Sequence, residues 1–436
     1  MGLSSEHKNT EARLPEVFEP CCGLYPGMAS FTREFDETDY REWVSRSNGD
    51  PVPAPLILVV QNSVAADPSA DGNSAAQTLP WYSAITREIQ LQGALFDRDR
   101  PLEGVVFSPG ITTGCSNDAL YEFSDTIQNA FSTTPAAFAR WCACFGKNRP
   151  DMSRLQLLRV LGFSKVRLCI ELSSAGQDGD GSRREIEQSQ QLLQDIRGLG
   201  YRSLAVDLML PADADTWLID RVERLLAETG VQCVRLITTS GQGADPSGRL
   251  LSVFRTGIMQ GLGYRHLGLD WYVSESEPSL GATAPLHWSA LGYTDIEGLD
   301  VIGAGPGAVS VLEDACSQNA MQREAYQRRV EQDEIPTEGG VELESDDSLR
   351  RTVMSGILVN EYFSIEALED SWGIMFARYF ESEMTALRTL EEQGKLVVTE
   401  QGIHTLERGR DTLHALCKIF DNQDRIARVP PLQVVD

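Results

Sequence analysis

No stretch of this sequence reaches the roughly 18 consecutive apolar residues that a membrane-crossing helix needs. The opening stretch, Met1 to Arg13, is polar and charged and lacks the apolar core of a secretory leader. Positive charge is in deficit too: 38 Lys and Arg stand against 64 Asp and Glu, a net charge of −26 over 436 residues. Such a surface repels phosphate backbones and anionic lipid, so neither nucleic acid nor membrane is expected as a partner, and the cytoplasm is the expected compartment. There is no Gly-x-Ser-x-Gly elbow, no His-Glu-x-x-His and no paired catalytic carboxylate motif. The glycine-rich stretch Gly303-Ala304-Gly305-Pro306-Gly307 is no phosphate loop, because no Lys-Ser/Thr follows it. Nine cysteines are present, an odd and scattered set: Cys21, Cys22, Cys115, Cys142, Cys144, Cys169, Cys233, Cys316 and Cys417. In a reducing compartment these read as buried, reduced packing residues.

The chain does contain a repeated strand–helix alternation. Apolar runs at Leu56–Val60, Val105–Phe107, Trp141–Phe145, Val166–Leu172, Ser203–Leu210, Val231–Ile237 and His266–Val273 predict strands. Amphipathic patterns between them predict helices over Trp81–Phe96, Asn117–Phe131, Met152–Leu161, Glu185–Leu199, Ala214–Thr229 and Leu250–Leu262. Gly162, Gly200, Gly230 and Gly263 follow helical stretches, where glycine supplies a left-handed cap. Repeated units of this kind imply an α/β fold with a parallel sheet and right-handed crossovers, a partial (β/α)6-type barrel whose site lies at the carboxyl ends of the strands. Two loops on that face, Asn62–Gln77 and Ser173–Arg183, are rich in small and polar residues. An acidic, glycine-containing stretch, Asp333–Asp347, marks a boundary. Beyond it, helices followed by two short strands predict a small helical, winged-helix-like domain. The expected divisions are residues 1–54 as an N-terminal arm, 55–330 as the barrel and 331–436 as the C-terminal domain.

Particular residues then carry a resemblance. Leu286-His287 precedes Gly292-Tyr293-Thr294. Next comes Leu299-Asp300-Val301-Ile302-Gly303-Ala304-Gly305, then Asp314-Ala315-Cys316-Ser317-Gln318-Asn319. The tail adds Phe376-Ala377-Arg378-Tyr379-Phe380 and Leu390-Glu391-Glu392-Gln393-Gly394, and the arm adds Leu24-Tyr25-Pro26. In order and spacing this resembles the oxygen-independent coproporphyrinogen III oxidases, a family of radical S-adenosylmethionine (SAM) enzymes of haem and porphyrin metabolism. The resemblance implies a radical-SAM-like barrel. In that family three cysteines, spaced three and then two residues apart, hold a 4Fe–4S cluster whose open iron binds SAM.

That chemistry is where the sequence departs from the family. Matching Pro55-Leu56 to the family's first strand without gaps puts the three ligand positions at Ala65, Ser69 and Gly72, and no three cysteines elsewhere have the required spacing. Val59 replaces the family's tyrosine. The Gly-Gly-Gly-Thr-Pro turn reads Ser108-Pro109-Gly110-Ile111-Thr112, which keeps only Gly110, and Pro109 removes an N–H from it. The third strand's acidic residue is matched by Cys144, a glutamine by Glu171, and the following strand's aspartate is kept as Asp207. The resemblance therefore leaves Gly110, Glu171 and Asp207 as cofactor-site positions. It places Asp270, Tyr272, His287 and Tyr293 near a tetrapyrrole substrate, with Trp271 and Tyr272 able to stack on a macrocycle and His266 or His287 able to ligate haem. For Asp207 and Glu171 an ordinary structural role is equally open, and for Trp271, Tyr272, His266 and His287 it is the favoured reading.

Three functions compete. The first is a relative that has lost the 4Fe–4S and SAM site and binds a tetrapyrrole, haem or another ligand without radical chemistry. The second is an active coproporphyrinogen III dehydrogenase with a non-standard cluster site, its missing groups supplied by a partner chain. The third is a pseudoenzyme that acts as a protein partner.

Overall fold

The computed structural model describes residues 25–62, 79–172, 179–211, 216–239, 257–277, 280 and 286–421. The positions Ala65, Ser69 and Gly72, the pair Cys21-Cys22 and most of the helix expected over Leu250–Leu262 lie outside them.

Strands β1 (Leu56–Val60), β2 (Pro101–Phe107), β3 (Ser132–Thr133), β4 (Cys142–Phe145), β5 (Lys165–Glu171), β6 (Ser203–Pro211) and β7 (Cys233–Thr239) come first along the chain. Helices Leu79–Leu95, Asn117–Ala130, Met152–Val160, Gly179–Gly198 and Thr216–Thr229 alternate with them. Then follow β8 (Tyr264–Gly268), β9 (Trp271–Ser274), β10 (His287–Ser289), β11 (Gly292–Thr294), β12 (Asp300–Ala304), β13 (Val309–Leu312), β14 (Ala315–Asn319) and β15 (Thr337–Glu342). The main sheet runs β15-β14-β13-β12-β1-β2-β4-β5-β6-β7-β9-β8, with β3 beside β2. Pairing is parallel from β12 through β7 and antiparallel at both flanks. Among the described residues, five strand–helix units and the further parallel strand β7 in an open sheet give the partial barrel that the alternation predicted.

Two details differ from the sequence reading. The run His266–Val273 is not one strand. It is a tight antiparallel pair, β8 and β9, whose turn carries Leu269 and Asp270 at φ 48° and 63°. Gly268 and Asp270 are the only local markers of this reversal, and no glycine stands at the two central turn positions. The main sheet also runs past residue 330, because β15 pairs with β14. The acidic stretch therefore holds the last sheet strand before the helix Ser345–Val359 begins. The small C-terminal sheet has the order β16 (Tyr362–Ser364), β18 (Gly402–Thr405), β17 (Leu396–Val398), flanked by helices Ile365–Trp372, Glu381–Glu392 and Arg410–Phe420.

Local causes are visible at the element ends. Ser116 and Asp151 cap their helices by accepting from the N–H of Ala119 and Arg154. Gly162, Gly200, Gly230 and Gly263 all sit at positive φ, as their place after helices required. Helix Asn117–Ala130 buries Leu120, Phe123 and Ile127, one stripe, with Phe123 edge-on to Phe107 of β2 at 6.3 Å. Each such fully buried side chain contributes about 2 kcal/mol. At the amino end of the barrel, buried Asp300 pairs with Arg100 at 2.9 Å and accepts from Ser47 at 2.6 Å, tying β12, β2 and the helix Glu37–Asn48 together.

Candidate functional site

In β5 and β6 burial alternates residue by residue. Val166, Leu168 and Ile170 face the helices, while Lys165, Arg167, Cys169 and Glu171 face the other way. At Lys165 and Arg167 that second face is the barrel lumen, where it carries charged side chains among apolar ones. A cavity of about 170 Å³ is lined there by Cys142 and Cys144 of β4, Lys165 and Arg167 of β5, Asp207 of β6, Arg235 of β7 and Trp271 of β9, among others.

Asp207 is its centre. The Arg167 guanidinium donates to both carboxylate oxygens at 2.9 Å, and Arg235 donates to the same two at 3.0 and 2.9 Å. Both guanidiniums lie over the Trp271 ring, 5.1 and 5.6 Å from its centroid. Burial pushes the Asp207 carboxyl up, but the two flanking cations outweigh it and hold it below the usual carboxylate range. Below this triad, Lys165 pairs with Glu277 at 3.2 Å, and Ser203 donates to the same carboxylate at 2.5 Å. At the rim, Arg140 pairs with Asp295 at 2.9 Å.

The sequence-derived positions do not all converge on this lumen. Asp207 does, although it stands in the middle of β6 rather than at its end, since the strand continues to Pro211. Gly110 lies in a short helical turn, Pro109–Thr112, directly after β2. A Cβ there would lie 2.6 Å from the Asn62 carbonyl, so the glycine is required by the chain's own backbone. Glu171 does stand at a strand end, where it pairs with Lys147 at 2.7 Å and lines a separate, smaller cleft. The four tetrapyrrole positions are dispersed. Asp270 is buried in the β8–β9 turn, 3.5 Å from Arg410 of the C-terminal helix. Tyr272 is core, with its ring stacked on His266 at 4.7 Å. His287 is half-buried in the β10–β11 hairpin. Tyr293 reaches the lumen wall, yet its hydroxyl donates to the Leu358 carbonyl at 2.9 Å and so ties the hairpin to the C-terminal domain. A macrocycle site built from these four residues is therefore not what the fold assembles. The backbone at Gly305, in the glycine-rich stretch, packs on Gln61.

Arg167, Arg235, Lys165 and Glu277 were missed in the sequence. A signal existed: Val166-Arg167-Leu168, Val206-Asp207-Leu208 and Val234-Arg235-Leu236 each bury one charge inside an apolar strand, on consecutive strands of one sheet. A charge so placed needs a partner, and the neighbouring strands supply it.

A family model described as the HemN C-terminal domain matches residues 343–411. An oxygen-independent coproporphyrinogen III oxidase of Pseudomonas aeruginosa is 24% identical over 378 residues, spanning 81% of this chain and 82% of that protein. One from Synechocystis is 23% identical over 437 residues, 91% of each chain. Among solved structures, that of the Escherichia coli coproporphyrinogen III oxidase, described as a radical SAM enzyme, superposes with a TM-score of 0.77 over 92% of this chain and 97% of that one, at 21% identity.

Proposed function

We propose that this chain, which is similar along most of its length to the oxygen-independent coproporphyrinogen III oxidases, is a member of that family which has given up the cluster and SAM chemistry and keeps the barrel as a binding site for a small ligand. The observation that carries this is the donor set. The sequence holds no three cysteines spaced three and then two residues apart, and the positions matched to the ligands are alanine, serine and glycine. A cluster needs thiolates, and none of these side chains provides one. The lumen points the same way. Asp207, the one cofactor-site carboxylate retained, has both oxygens occupied by Arg167 and Arg235, and Pro109 replaces an N–H donor in the adjoining turn. The residues present do not fit the group, and radical chemistry has no starting point in this donor set.

A lumen of about 170 Å³ is below the usual range for a drug-sized ligand, roughly 300–1,000 Å³. Its size favours a ligand of a few heavy atoms over an entire tetrapyrrole. Anaerobic reconstitution with iron and sulfide is the test, and the expected result is no cluster absorbance and no reductive cleavage of SAM. A brown protein that splits SAM would restore the active-dehydrogenase reading. A Soret shift on titration with haemin or coproporphyrin would restore the tetrapyrrole ligand. The pseudoenzyme reading is favoured by one feature, the exposed apolar side chains Trp372, Met375 and Tyr379 within eight residues of the C-terminal domain.

A further inference from the structure

The lumen contains one pair of groups that the structural roles above leave unused. Cys142 and Cys144 stand two apart on β4, face the cavity together, and bring their sulfurs to 3.9 Å. In register, Cys142 lies beside Lys165 and Cys144 beside Arg167 on the next strand, so each thiol has a cation as its cross-strand neighbour. We propose that this pair is a redox-active dithiol, with Cys142 attacking a hydroperoxide and Cys144 resolving the product to a disulfide.

The two thiols are differentiated, as such a pair requires. The contact with Cys144, and after it Lys165 and Arg167, draws the Cys142 thiol down against its burial. The same contact, with burial, pushes the Cys144 thiol up. Cys142 is also the more exposed of the two. A small oxidant suits the cavity's size. In the first step the Cys142 thiolate attacks one peroxide oxygen, the O–O bond breaks, and the leaving oxygen takes a proton. This gives a sulfenic acid on Cys142 and water, or an alcohol from an organic hydroperoxide. In the second step the Cys144 sulfur displaces the sulfenic hydroxyl, which leaves as water with the Cys144 proton, and the S–S bond forms. The peroxide is reduced by two electrons and the two thiols are oxidised by two. Closure shortens the sulfur separation to about 2.05 Å. β4 is paired with β5 along all four of its residues and with β2 only at Cys142 and Ala143, so closure comes from rotation of the two side chains and a local bend on the β2 side. This inference rests on the lumen's geometry and not on the loss of the cluster, so either can fail alone.

Trypsin leaves both sulfurs in the single peptide 141–147, bounded by Arg140 and Lys147. After brief exposure of the full chain to hydrogen peroxide, that peptide should lose two hydrogens and regain them with dithiothreitol. Its oxidation should run at least about tenfold faster than that of Cys233, whose thiol burial pushes up to about 12. In Cys144→Ser the reaction should stall at a sulfenic acid on Cys142 that dimedone traps. In Cys142→Ser, Cys144 should stay reduced. Two free thiols in peptide 141–147 after peroxide, or oxidation no faster than at Cys233, would overturn the proposal, and both readouts come from the unmodified protein.

Discussion

At the scale of single residues, burial decides what a charged group does. Glu88 shows this most clearly. It lies wholly buried in the helix Leu79–Leu95 and accepts from the Gly305 N–H at 2.7 Å, the Asn319 amide at 2.7 Å and the Tyr326 hydroxyl at 2.5 Å. Burial nevertheless outweighs these donors and raises its carboxyl from 4.5 to about 7. The folded protein therefore holds this proton more tightly than the unfolded chain. Stability from this group is complete below pH 4.5 and falls as pH rises through about 7. The loss is about 3 kcal/mol. Urea denaturation at a series of pH values should show that decline, and Glu88→Gln should flatten it.

Asp207 shows the opposite outcome in the same protein. Two guanidiniums outweigh its burial and keep it charged. That pairing is not legible from one strand at a time. The sequence places Asp207 in an apolar run but leaves its partner unidentified, because Arg167 and Arg235 reach it only through sheet pairing.

At the scale of elements, the barrel strands and their helices follow from periodicity and from glycine caps, since each is set by residues a few positions apart. Local pattern does not reach the places where long-range contact sets the geometry. The β8–β9 turn has the apolar pattern of continuous strand, and β15 has the composition of a boundary segment although it completes the sheet beside β14. Gly305 belongs to this class. Its φ of 116° and its approach to Gln61, whose carbonyl would lie 1.9 Å from a Cβ, are both imposed by the β1–β12 pairing. Gly305→Ala should therefore destabilise the protein by about 3 kcal/mol or more, through backbone strain and the displaced Gln61 carbonyl. A thermal melt measures it, and an unchanged Tm would refute the close approach.

At the scale of the whole molecule, the C-terminal domain docks on the barrel through a shared apolar cluster, Leu267, Leu269 and Trp271 with Leu413 and Leu416, and through arginines that donate to main-chain carbonyls. Arg408 donates to Leu267 in β8 at 2.9 Å and Arg410 to Leu269 at 3.1 Å, while a further bond from Arg408, to Leu358 at 2.5 Å, fixes its side chain within the C-terminal domain. Hydrogen bonds to a charged donor contribute about 1.5–3 kcal/mol each. Arg408→Ala should thus cost on the order of 3 kcal/mol, and hydrogen exchange should quicken around Leu267–Asp270 before it does in the parallel strands. Uniform exchange across both regions would mean that the docking does not depend on this side chain.

The sequence by itself determined the strand–helix rhythm, the resemblance to the coproporphyrinogen oxidases and the missing thiolate spacing, because each is written in residues close together along the chain. Only the tertiary structure decided which side chains meet in the lumen. It drew Arg167, Asp207, Arg235 and Trp271 together from four strands and left Asp270, Tyr272 and His287 elsewhere. The physical reason is that a strand fixes which face a side chain points to, while sheet order and register fix what it finds there.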